Sequence, residues 1–328
     1  MARIALHCSH EQIPPSALLR AVRRAQEAGF QAGMSSDHFS PWSRAQERPG
    51  KAGLALGAAL AATDLPFGVV NAPGQRYHPA IVAQAAATLG AMFPGRFWVA
   101  LGSGEAMNEH ITGDPWPDKD VRDARLRECV DVIRALLAGE EVTHHGLVTV
   151  DRARIWSLPE QPPALIAPAV SVATARRGAA WADGLVTINQ PHDHLREMIA
   201  AYREAGGRGK LVLQVHLSYD PDPERALATA FEEWRNGVVG PPQAWDLDAP
   251  QAFERASATA MPADVAEVVR VSSDLGRHAA WIAEYVELGF DDIYLHHVGT
   301  EQRGFLDAFG EHVLPQLDVR EPAPAVAS

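Results

Sequence analysis

The chain has 328 residues, 47% of them hydrophobic and 21% charged, with 26 Gly, 24 Pro and 2 Cys, an ordinary composition for a folded protein with a large core. Lys and Arg number 29 against 41 Asp and Glu, a formal charge of −12, and with no basic stripe to neutralise phosphates, nucleic acid is excluded as a partner. No apolar run reaches the roughly 20 residues of a membrane helix, residues 1–8 read as a strand without the features of a signal peptide, and Cys8 and Cys129 form neither a disulfide framework nor a CxxC site. The expectation is a cytoplasmic protein that meets small molecules and copies of itself, as a homo-oligomer and most simply a dimer.

Short apolar runs alternate with amphipathic stretches from end to end. The strand-like runs are Arg3–Cys8, Phe30–Ser35, Pro66–Asn71, Phe97–Gly102, Ala164–Ala167, Gly184–Ile188, Leu211–Leu217 and Asp292–His297. Helical patterns fall at Pro15–Ala28, Gly50–Ala62, Pro79–Met92, Asp118–Leu137, Ala173–Ala182, Leu195–Ala205, Pro223–Arg235 and Phe305–Leu314, several entered through Pro and left through Gly. Continuous apolar strands, each followed by a helix, argue for a parallel sheet covered on its outer face. Eight such units without a pause predict a closed (β/α)8 TIM barrel over residues 1–320, followed by a frayed Pro/Ala-rich tail, 321–328. Four segments exceed the repeat, at about 39–49, 104–117, 140–163 and 238–276, and most of them are expected at the end of the barrel where βα loops build active sites.

Three strand ends carry candidate chemistry. The second runs into Asp37-His38, with Trp42 four residues on, which offers an imidazole, a carboxylate and a flat apolar wall; the competing reading is a polar loop with a capping Asp and a hydrophobic plug. The fourth runs into Gly102-Ser103-Gly104-Glu105-Ala106-Met107-Asn108, where Glu105 is placed to act as a general acid or merely to favour a helix start. This is not the GxGxxG dinucleotide fingerprint. After the fifth, Val170-Ser171 opens a helix whose first N–H groups suit a phosphate or are simply capped by Ser171. Of the 14 histidines, none has zinc-site spacing, so no metal is expected. His7, His216 and His296 or His297 sit on strands and are expected to line the mouth or to be satisfied wall residues, since adjacent strand positions face opposite ways.

SerAspHisPheSerProTrp (36–42), the ArgTyrHisPro segment from Arg76, and GlySerGlyGluAlaMetAsnGlu (102–109), in this order and spacing, resemble the luciferase-like flavin-dependent oxidoreductase superfamily. The likeness covers nearly the whole chain; it includes the branch of F420-dependent glucose-6-phosphate dehydrogenases and is closer still to a related branch of non-F420, FMN-using oxidoreductases. The resemblance implies a (β/α)8 barrel with an isoalloxazine-type ring at its mouth. It implies further that Asp37 and Asn108 contact the ring, that His38 and Glu105 manage protons, and that Trp42 walls the substrate pocket, to which the strand positions of His7, His216 and His296 would add. The cofactor would also touch Val69 and Val70, where the family has a non-prolyl cis bond, and Val170 and Ser171. Val69, Ala72, Val170 and Ser171 depart from the Ser, Thr and glycine pair of the F420 enzymes, and Ile188 and Pro191 replace the Thr and Lys that hold a sugar phosphate. The expectation is therefore FMN as first choice, coenzyme F420 as the alternative, and a substrate other than glucose 6-phosphate. If oxygen is used, an NAD(P)H:FMN reductase is the implied partner. A catalytically silent flavin-binding barrel and a metal-dependent hydrolase are the competing readings.

Overall fold

A computed structural model of the chain describes residues 2–46 and 52–317. Its strands and helices alternate in the order β1 (Arg3–Cys8), α1 (Pro15–Glu27), β2 (Gly33–Ser36), α2 (Ala52–Ala62), β3 (Phe67–Asn71), α3 (Pro79–Met92), β4 (Phe97–Leu101), the single turn α4 (Ala106–Glu109) and α5 (Lys119–Leu137). A hairpin, β5 (Val142–His145) and β6 (Thr149–Ala153), precedes β7 (Ala164–Pro168), α6 (Val172–Gly178), β8 (Gly184–Ile188), α7 (His192–Glu204), β9 (Lys210–Tyr219) and α8 (Pro223–Trp234). Then come α9 (Gln243–Asp246), α10 (Pro250–Ala256), α11 (Pro262–Val268), β10 (Arg270–Ser272), α12 (Leu275–Glu287), β11 (Asp292–His297) and α13 (Arg303–His312).

β1, β2, β3, β4, β7, β8, β9 and β11 pair in parallel in the order β9-β11-β1-β2-β3-β4-β7-β8, and β8 pairs back to β9, closing the eight-stranded barrel. This is the (β/α)8 fold expected from the repeat. The period-two alternation of each strand sorts side chains into two cores. Ile4, Leu6, Phe67, Val99, Leu165, Leu213 and Leu295 face the helices, whereas Ala5, Met34, Ala100, Ile166, Val186, Val212 and Tyr294 fill the barrel. At its N-terminal end Trp98 meets Tyr294 edge-on with centroids 6.0 Å apart, and Arg3 Nε donates to Asp292 Oδ1 at 2.6 Å. Gly68 is required there, because a Cβ on it would lie 1.9 Å from the Trp98 ring.

Three of the four extra segments gather at the C-terminal mouth, where residues following β2, β4 and β9 line one cavity. The hairpin does not. It follows a helix rather than a strand and packs outside the barrel, with His144 Nε2 2.8 Å from Glu128 of α5 and His78, the N-cap of α3, 2.8 Å from Thr149 O. The expected run 238–276 contains α9, α10, α11 and β10, which extends the sheet beside the far end of β9. α12 was absent from the expected helices; Asp274 caps it by accepting from Gly276 and Arg277 N–H groups. β2 starts at Gly33, not Phe30, and α6 stops at Gly178, where the chain lies against Ala167 too closely for a Cβ, while Ala179, Trp181 and Ala182 beyond it still pack on the core. The expected tail, 321–328, and residues 47–49 of the first insertion lie outside the described residues. Among the described residues no helix is long and apolar enough to cross a membrane.

Candidate active site

The mouth encloses a cavity of about 510 Å³, a size suited to a small molecule or the ring of a cofactor. Its reactive wall comes from the ends of three strands. His38, just past β2, lies with Nδ1 3.0 Å from Glu11 Oε1 and Nε2 3.6 Å from Glu105 Oε2, within ion-pairing range of both carboxylates. Ser9 Oγ donates to Glu11 Oε2 at 2.9 Å and so holds that carboxylate in place. The edge of Trp42 packs on the imidazole, centroids 4.9 Å apart, and Phe253 of α10 backs Trp42 at 5.2 Å. Asn108 joins the two reactive loops: its Nδ2 donates to Glu105 Oε2 at 3.1 Å, and its Oδ1 accepts from the backbone N–H groups of Phe39 at 2.8 Å and Ser40 at 3.2 Å. Burial pushes the Glu105 carboxyl above the usual range, and Glu11 adds to the effect, while the facing His38 and the Asn108 amide act against it.

A second cluster fixes the loops. Asn71, the last residue of β3, donates Nδ2 to Asp37 Oδ2 at 2.8 Å, and Arg76 donates Nη2 to the Asp37 carbonyl at 2.6 Å. Arg76 is itself held by Glu109, its N–H donating to Oε2 at 2.7 Å and its Nε to Oε1 at 3.3 Å. Both partners of this ion pair are buried, and burial raises the Glu109 carboxyl although Arg76 lowers it. Burial and the nearby Asp37 push the Tyr77 phenol up to about 12. Asn71 Oδ1 is buried with no hydrogen-bond partner among the described residues.

Deeper in the barrel His7, His216 and His296 meet, with His7 and His296 centroids 4.6 Å apart and His216 and His296 5.2 Å apart. Burial drives His216 down to about 4 and His7 and His296 well below the ordinary imidazole value, so all three are neutral near pH 7. Among the described residues no group of three or more His, Cys, Asp or Glu side chains is arranged to hold a metal ion.

Residues 1–292 match the family described as luciferase-like monooxygenase. The chain belongs to that family. It is 36% identical to a protein of Beutenbergia cavernae named F420-dependent glucose-6-phosphate dehydrogenase, over 98% of this chain and 99% of the relative, and 35% identical to one of the same name from Mycolicibacterium fortuitum, over 96% and 98%. Among solved structures, an F420-dependent secondary alcohol dehydrogenase in complex with an F420-acetone adduct superposes with a TM-score of 0.89 at 28% identity, over 96% of this chain and 98% of that one. The F420-dependent tetrahydromethanopterin reductase of Methanopyrus kandleri shares the fold, with a TM-score of 0.74 at 20% identity over 96% and 99%.

In this luciferase-like oxidoreductase the cavity brings together Asp37, His38, Trp42, Val70, Glu105, Asn108, Val170, His7, His216 and His296. Two of the residues expected at the cofactor do not line it. Val69 is an outward position of β3 and packs in the core between barrel and helices, one residue out of phase with Val70. Ser171 is the N-cap of α6, its Oγ accepting from Thr174 N–H at 3.3 Å, and Thr174 lines the cavity instead. The cis bond expected near Val69–Val70 is absent: among the described residues Pro241-Pro242 alone is cis, and β3 runs through the valines as regular parallel strand. Of the two adjacent histidines, His296 faces inward and His297 stacks on Phe305 outside the barrel, centroids 5.1 Å apart. Glu11, Asn71, Arg76, Asn189, Gln214, Trp234 and Phe253 also line the cavity, and sequence reasoning missed them all. Glu11 carried a usable signal, since Ser9-His10-Glu11 directly follows the end of β1, the same placement that singled out Asp37, His38 and Glu105.

Proposed function

We propose that this chain is an F420-dependent dehydrogenase that moves hydride between the carbinol carbon of a small uncharged alcohol and the deazaflavin. The observation that carries the reading is the His38 imidazole, set between the Glu11 carboxylate 3.0 Å from Nδ1 and the Glu105 carboxylate 3.6 Å from Nε2 and open to a cavity of cofactor size. The names of the relatives and of the 28% identical structure support F420 over the FMN that the residues at 170–171 favoured. The lining fits a flat ring: Ala72, Gly102, Pro168 and Ala169 offer a low apolar surface beside polar Asp37, Asn71 and Asn108. The buried, unpartnered Asn71 Oδ1 lies in the same wall.

A bound deazaflavin supplies two-electron hydride chemistry, and the protein's contribution is to orient and to handle one proton. His38 Nδ1 makes no hydrogen bond among the described residues, and the charge of the Glu11 carboxylate 3.0 Å away favours the tautomer with the proton on Nδ1, which leaves Nε2 as the base for the substrate hydroxyl. Glu105, its carboxyl raised by burial, faces Nε2 at 3.6 Å and is placed to take up that proton. Asp37 and Asn108 hold the loops at fixed spacing, and Trp42 and Phe253 form the apolar side of the substrate space.

The charge of the cavity supports an uncharged substrate. Among the described lining residues the basic side chains are Arg76, held by Glu109, and Lys119, held by Asp123, against the carboxylates of Glu11, Asp37, Glu105, Glu109 and Glu267. A phosphate dianion would enter without a free cation to meet it. With F420 and 2-propanol the protein is expected to bleach the oxidised cofactor, and glucose 6-phosphate to give a kcat/KM at least about 100-fold lower. His38→Ala is expected to lower kcat by about 10²–10⁴; an unchanged rate, or faster turnover of the sugar phosphate, refutes the reading. An FMN reductase partner belongs to an oxygenating reaction and is not needed here. We also propose self-association through the outer faces of α2 and α3, where Leu54 is 76%, Ile81 56% and Met92 62% exposed.

A further inference from the structure

Gln214, on β9, lies between His216 and His296 and lines the cavity. The orientation of its amide follows from the groups around it. Gln12 donates Nε2 to Val298 O at 2.7 Å and to Glu233 Oε2 at 3.1 Å. Its Oε1 is therefore the atom facing His296 Nε2 at 3.2 Å, and His296 carries its proton on Nε2. Asn189 Oδ1 accepts from the His216 backbone N–H at 2.8 Å, so His216 Nδ1, 3.1 Å from the same oxygen, carries the proton of that ring. Both rings are neutral, and their remaining nitrogens are acceptors. His296 Nδ1 and His216 Nε2 both face Gln214 Nε2, at 3.4 and 3.2 Å. The two amide protons of Gln214 answer these two lone pairs, which leaves Oε1 as its open group in a barrel interior otherwise filled by residues such as Val186, Val212 and Ile166.

His7 sits beside this frame with its ring against His296, and both of its nitrogens are buried with no partner among the described residues. A buried polar group left unmatched is costly, and such a group in a cavity wall points to a bound partner. We propose that Gln214 Oε1 and His7 form a polar floor that receives a neutral N–H or O–H group and sets how deeply the ligand seats. The donor belongs either to the cofactor ring or to the substrate, and only this assignment rests on the dehydrogenase reading.

The frame is tested on the apo protein by ¹⁵N NMR of the histidine side chains. The expected tautomers are Nε2–H for His296 and Nδ1–H for His216. The reverse pair would turn the amide round and overturn the proposal. The floor is tested with Gln214→Met, which keeps the length of the side chain and removes its acceptor together with its donors, read beside His7→Phe, which removes the other half of the floor and leaves the Gln214 amide in place. With Met, the Kd for F420 by fluorescence quenching, or the KM for 2-propanol at saturating F420, is expected to rise about five- to tenfold. With His7→Phe, a loss in the same constant is expected. A rise in Kd assigns the donor to the ring, and a rise in KM alone assigns it to the substrate. A folded Gln214→Met protein with wild-type Kd and KM overturns the floor. Failure of the wild type to bind F420 counts against the dehydrogenase reading alone, and the same variant ratio is then read by FMN titration.

Discussion

Glu105 places a functional requirement and a stability cost on one side chain. Burial raises its pKa in the folded state, so the fold favours its neutral form over its ionised form. The stability contributed by the neutral form is complete below the unfolded carboxyl value and is lost as the pH rises through the higher, folded value. Glu105→Gln keeps the neutral shape and cannot ionise. It is expected to melt at a higher temperature than the wild type at pH 8, with the difference closing towards pH 4, while turnover of 2-propanol falls by at least about 100-fold. A melting difference independent of pH would show that the carboxyl does not titrate in a buried setting. At this scale the sequence was legible where a reactive residue directly ends a strand, as His38 and Glu105 do. It was silent about Asn71 and Arg76, whose work depends on which loops the closed barrel brings together: Asn71 reaches across from β3 to Asp37, and Arg76 to Glu109. It misled at Val69 and Ser171, where a motif position carried over from the family takes no account of strand phase or of a local cap.

At the scale of elements, the strands were readable because a parallel sheet buried on both faces demands unbroken apolar runs. The stretch between β9 and β11 was not, because α9, α10, α11 and β10 are too short to show a period, and α12 follows them without a long turn. The hairpin's sequence shows only that it is a hairpin; its docking on α3 and α5 depends on His78 and Glu128. The closest packing of two elements is where β3 meets β4 at Gly68, against the Trp98 ring. Gly68→Ala forces the indole from its site and is expected to cost about 1–3 kcal/mol, measurable as a lower midpoint in urea together with a shifted tryptophan emission. An unchanged midpoint would mean that the barrel floor repacks freely.

For the whole molecule, the formal charge of −12 keeps copies apart at long range, and salt screens that repulsion. Self-association through the apolar surface of α2 and α3 is therefore expected to strengthen between low and physiological ionic strength. Sedimentation of the wild type is expected to show a dimer, and Leu54→Asp together with Ile81→Asp a monomer; a wild-type monomer at all salt concentrations refutes the interface. The molecule also divides its tasks along the chain. Glu11, His38 and Glu105 lie in the first third, on loops of the barrel itself, whereas Trp234, Val239 and Phe253, which also line the cavity, come from one continuous stretch between β9 and β11. Duplicated copies of such a gene can diverge by exchanging that stretch alone, acquiring new substrates while inheriting the proton-handling groups intact. Relatives that share the reactive loops and differ between β9 and β11 are thus expected to share a reaction and differ in what they accept.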